Sequence, residues 1–129
     1  MMDRRPVYFE LHRLALPAGA VASFLHRLSG VLLVLALPVL AEAFGRSLAG
    51  PAGFDEVVHG FGGWLSRLAV IALIWAFAHH LFAGLRHLAM DAGIGWRLRH
   101  ARASARVAIA GGLVFALAVA LVIWPWAAR

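Results

Sequence analysis

The chain has no cysteine among its 129 residues. Disulfides, thiolate-held zinc and iron–sulfur ligation by this chain are therefore excluded. Lysine is missing too: all twelve basic residues are arginine. Charge of either sign is sparse, 14% of the residues against about 25% in an ordinary soluble domain. What fills the chain instead is apolar, 63% of it. A water-soluble core of this size cannot hide that much apolar surface, so lipid is the solvent that the composition requires. The formal charge of +6 argues little for nucleic acid, because the arginines flank apolar runs and form no aromatic-interleaved patch.

Three apolar stretches stand out: Leu28 to Phe44, extended upstream by Leu14 to Leu25; Trp64 to Met90; and Val107 to Trp126. Each approximates the ~20 residues that a helix needs to cross ~30 Å of hydrocarbon. The expected fold is an all-α integral membrane protein with one anchor domain over residues 1–129. Its three transmembrane helices are expected near residues 21–45, 64–90 and 107–127. Two connections separate them, a Gly-rich one from Gly45 to Gly63 and an Arg-rich one from Asp91 to Arg106. The N-terminal segment carries Arg4, Arg5, Arg13 and Arg27, the last at the entrance of the first span, and the second connection carries Arg97, Arg99, Arg102 and Arg106. The other connection has Arg46 alone, and the C-terminus has Arg129. This bias predicts a cytoplasmic N-terminus and a periplasmic C-terminus, with Trp64, Trp124 and Trp126 near the outer boundary. Leu28 to Leu40 followed by Ala41-Glu42-Ala43 has the look of a cleavable leader, but the long preceding region with Asp3 and Glu10 argues against one. The same acids argue against a mitochondrial presequence and for a bacterial cytoplasmic membrane.

The second span carries a polar stripe. A helix turns ~100° per residue, so with His80 at zero Gly84 lies at ~40°, His87 at ~−20° and Asp91 at ~20°. His79 points ~100° away. A neutral imidazole nitrogen is a good axial ligand for haem iron. Gly84 removes the side chain that a flat macrocycle would meet one turn along, which selects His80 over its neighbour His79. His80 lies eleven residues before Asp91, ~16 Å inside the helix end and close to mid-membrane. His87, ~10 Å nearer the cytoplasm, suits a haem propionate. Asp91 can accept a proton from His87 and fix its ring. His79 reads as a packing or inter-subunit histidine.

At the entrance to the first span, Ser23, His26, Arg27 and Gly30 fall within an arc of ~100°. A hydroxyl and a guanidinium one turn apart can donate to the carbonyl oxygens of a quinone and stabilise the charge it gains on reduction. A snorkelling Arg27 and a capping Ser23 are the plain structural alternative. Pro38 is expected to kink the outer half of this span.

Together, Arg5-Pro6, Ser23-x-x-His26-Arg27-x-Ser29-Gly30 and His80-x-x-x-Gly84-x-Arg86-His87-x-x-x-Asp91 resemble the cytochrome b anchor family of succinate dehydrogenase (succinate:quinone oxidoreductase, respiratory complex II). The resemblance covers nearly the whole chain. It implies a three-helix anchor that pairs with a second three-helix anchor, holds one haem b between them, and docks an iron–sulfur subunit and a flavoprotein subunit. By position it implies His80 as an axial iron ligand and Ser23 and Arg27 as quinone-site residues. It also implies His26 and His87 near the haem propionates, with Asp91 as the acid closing the second motif. Electrons would pass from the iron–sulfur subunit to quinone, while succinate chemistry stays outside this chain. The alternatives are the anchor of a quinol:fumarate reductase, a haem-free transporter or channel subunit with His80 and His87 as a proton relay, and a purely structural anchor.

Overall fold

The computed structural model describes residues 16–126, all in helices and short connections: α1 Ala18–Ser47, α2 Pro51–Gly60, α3 Trp64–Asp91 and α4 Leu98–Trp126. Three of these, α1, α3 and α4, are long and apolar enough to cross a membrane. Residues 1–15, which carry Arg4, Arg5, Pro6 and Arg13, lie outside the described residues, as does the side chain of Trp126.

The helices pack on small residues. Among the described residues the buried apolar side chains are all alanine (Ala22, Ala76, Ala78, Ala83, Ala105, Ala108 and Ala116), joined by Ser29 and His79. Large aliphatic residues such as Leu35, Val34 and Leu117 are more than 60% exposed. In lipid, burying leucine against another helix gains little over leaving it among acyl chains. Close backbone approach therefore decides the contacts, and small residues permit it. α3 packs against both α1 and α4, and α1 also touches α4.

The Gly-rich first connection contains a helix, α2. Gly50 has a φ of 125° that L-residues rarely adopt, and it turns the chain into Pro51 at the first helical position. A side chain at Gly53 would run into the Arg46 carbonyl, so glycine lets α2 fold back on the end of α1. Arg46 bridges the two helices by pairing with Glu42 at 2.8 Å and Glu56 at 3.1 Å.

α3 stops at a glycine. The N–H of Ile94 donates to Ala89 O at 2.8 Å and that of Gly93 to Met90 O at 3.0 Å, with Gly93 at a φ of 80°. This is the double bond pattern of a Schellman cap. α4 then begins at Leu98, so Arg99, Arg102 and Arg106 stand on its first turns. α1 runs helically through Pro38.

Candidate functional site

The site lies where α1 and α3 cross, and it is built from two copies of one pattern, His-x-x-x-Gly. On α1 these are His26 and Gly30; on α3 they are His80 and Gly84. The helices run in opposite directions, so each histidine meets the other helix's glycine. A Cβ added at Gly30 would stand 3.0 Å from His80 Cε1 and 3.3 Å from His80 Nδ1. One added at Gly84 would stand 3.4 Å from His26 Nε2. The two imidazoles stack at 4.2 Å with 20° between their planes. His87, two turns along α3, is tilted against His26 at 5.3 Å. The three rings therefore form one cluster.

His80 is held by main chain. Its Nδ1 lies 3.1 Å from the His26 carbonyl oxygen and 3.4 Å from Ser29 Oγ. A carbonyl oxygen only accepts, so Nδ1 carries the hydrogen and Nε2 is left with the lone pair. That is the protonation state that a metal-ligating imidazole needs. The cluster does not grip an ion by itself: among the described residues no three His, Asp or Glu side chains are arranged to hold a metal. A single axial nitrogen is the donor set it offers, which fits a haem iron held by its macrocycle.

The expected role of Gly84 needs revision. Its missing side chain was expected to leave space for a flat macrocycle beside His80, yet that space faces the His26 ring. The clearance for His80 itself comes from Gly30, across the helix interface.

The other expected residues separate. Ser23 is half-buried and Arg27 exposed, one turn apart on α1. Neither side chain hydrogen-bonds to another described residue. Asp91 is exposed at the end of α3 and makes no hydrogen bond or ion pair with His87. The reading of Asp91 as the group that fixes the His87 ring has no contact behind it here.

His79 turns the other way, fully buried between α3 and α4. Its ring stacks on Trp75 at 5.7 Å, and neither ring nitrogen has a hydrogen-bond partner. Gly112 of α4 sits so close that an added Cβ would be 2.9 Å from His79 Cβ.

Three features escaped the sequence: the His26 carbonyl as the anchor of His80, Ser29 behind it, and the Arg86 clip. Arg86 donates from Nε to Ser104 Oγ at 3.0 Å and from Nη2 to Ala101 O at 3.0 Å, tying α3 to α4. A cavity of about 400 Å³ lies beside this clip, lined by Phe82, Leu85, Val107 and Gly111 among others. It is apolar and holds none of the clustered histidines. Seryl bonding to the carbonyl three residues earlier is a common helix habit, but nothing in a linear sequence announces an interhelical carbonyl.

Comparison with known proteins bears on the whole chain. The model of a family described as succinate dehydrogenase/fumarate reductase transmembrane subunit matches residues 1–119. The chain is 34% identical over 131 residues to the succinate dehydrogenase cytochrome b556 subunit of Coxiella burnetii, covering 98% of this chain and 100% of that protein. It is 33% identical over 121 residues to the protein of the same name from Paracoccus denitrificans, covering 92% and 91%. With the protein of that name from Rickettsia felis it shares 27% over 125 residues.

Proposed function

We propose, from the premise that this chain belongs to the succinate dehydrogenase/fumarate reductase transmembrane subunit family, that it is a haem b-holding anchor that helps deliver electrons to quinone. The observation that carries this reading is the seating of His80: near the middle of a helix long and apolar enough to cross a membrane, its Nδ1 lies 3.1 Å from the His26 carbonyl oxygen, which leaves Nε2 as the ring's free nitrogen.

A haem b, when bound, supplies a one-electron redox couple within the bilayer. The chain's own residues then have distinct tasks. His80 would hold the haem iron through Nε2, with the His26 carbonyl fixing the ring. His26 and His87, clustered on the same face, offer N–H donors for carboxylates such as propionates. Ser23 and Arg27 offer hydroxyl and guanidinium donors to a quinone. A guanidinium aimed at an oxygen that becomes negative on reduction stabilises the product side of that step. A second three-helix anchor is the expected source of the other axial ligand. An iron–sulfur subunit and a flavoprotein subunit carry electrons from succinate to this face. The Arg-rich end is assigned to the cytoplasm of a bacterial cell, which puts both soluble partners on that side.

The test is a reduced-minus-oxidised absorption spectrum of the purified complex. His80→Ala is expected to abolish or shift the b-type bands. An unchanged spectrum would remove His80 as ligand, and a wild-type complex without b-type bands would remove the haem reading.

A further inference from the structure

We infer that Gly30 and Ser29 of α1, acting with the His26 carbonyl, form the positioning element that sets the direction and donor strength of the His80 ring. The inference rests on the haem reading of His80 given above. None of these groups touches the iron; each acts through the imidazole.

Three constraints act on that ring from one neighbouring helix. The His26 carbonyl receives the Nδ1 hydrogen at 3.1 Å. The His26 imidazole covers one ring face at 4.2 Å. Gly30 lies against the Nδ1–Cε1 edge, where an added Cβ would be tighter than an ordinary contact at 3.0 Å from Cε1. With that edge seated on α1, the ring has one way to aim its lone pair. Ser29 supports the seat from beneath. It is fully buried, and its hydroxyl donates to the same His26 carbonyl at 2.8 Å. Its hydrogen thus used, the Ser29 oxygen presents lone pairs to Nδ1–H from 3.4 Å.

The consequence is electronic as well as geometric. An imidazole whose N–H is held by an oxygen acceptor becomes a more basic donor at its other nitrogen. A more basic ligand favours the oxidised, more positive iron and lowers the midpoint potential. The donor to the iron is thereby tuned from α1, although the ligand itself sits on α3.

The experiment uses the assembled complex and reads three quantities: haem content, midpoint potential, and the g values of the oxidised haem by electron paramagnetic resonance. Gly30→Ala is expected to displace the ring from its carbonyl, raise the midpoint potential and move the g values in the haem that remains bound. Ser29→Ala removes one oxygen atom and is expected to move the g values less, at wild-type haem content. Gly45→Ala, on the same helix with nothing within 4 Å, is expected to match wild type throughout. A loosened helix pair alone would lower yield without moving the potential of the surviving haem. Wild-type potential and g values in Gly30→Ala would overturn the inference, and in Ser29→Ala would remove the serine from it. If Gly30→Ala does not assemble, Ser29→Ala decides the matter, and wild-type potential and g values there then overturn the inference. A wild-type complex without any b-type band would instead sink the haem reading itself, so the two failures are distinguishable.

Discussion

Arg27 is the residue whose chemistry has most to lose from a single change. It is exposed on α1 and bonded to no described residue, so its guanidinium is available to a ligand or a partner chain. Replacing one preorganised donor at a site of developing charge typically costs about 100-fold or more in rate. Arg27→Leu is accordingly expected to depress quinone reduction by at least about 10-fold, while succinate oxidation by an artificial dye persists. Loss of both activities together would make Arg27 a structural residue. The histidine doublet invites a second comparison. His79 is buried with neither nitrogen hydrogen-bonded, and replacing such a group by an apolar one of similar size is close to neutral. His79→Leu is expected to keep the b-type spectrum that His80→Leu loses. A spectrum lost with His79 instead would shift the ligand assignment by one residue.

Among the elements, α3 and α4 make the most extensive contact. It needs glycine at 112, because a Cβ there would lie 2.9 Å from His79 Cβ and 3.1 Å from its Cα. Neither atom belongs to a flexible side-chain tip, so the helices themselves must separate. Overpacking of this kind costs about 1–3 kcal/mol. Gly112→Ala is therefore expected to lower the melting temperature of the detergent-solubilised complex by several degrees. Gly60→Ala, with nothing within 4 Å, should leave it unchanged. Equal melting of the two would show that α4 can slide without penalty. Arg86, bonded to Ser104 and the Ala101 carbonyl, ties the same two helices by polar contacts. Such bonds hold well in a setting where water does not compete.

For the whole molecule, the placement of arginine predicts which way it sits in the bilayer. Arginine is concentrated before α1 and around the start of α4, and retention of positive charge on the cytoplasmic side sets the expected direction. The absence of cysteine makes a labelling test direct, since any introduced thiol is the only one in the chain. Ala92→Cys, between α3 and α4, should resist a membrane-impermeant maleimide on intact cells and react once the membrane is opened. Ala52→Cys, in α2, should react on intact cells once the outer envelope is permeable. The reverse pattern would invert the topology and move the soluble partners to the other face.

Composition alone carried the argument as far as a membrane protein of three long helices, because a bilayer leaves the backbone few other ways to bond itself. Periodicity carried it further: the stripe of His80, Gly84 and His87 is a local property of one helix, and all three do face α1. The α2 helix was not legible, since glycine and proline read equally as loop signals and as a helix start. Nor was the partner of each glycine. Gly84 lies on the same helix as His80 but faces His26, and Gly30, far away in sequence, makes room for His80. Spacing along a helix fixes which side chains share a face. What stands against that face depends on how antiparallel helices meet, and only the packed fold decides it.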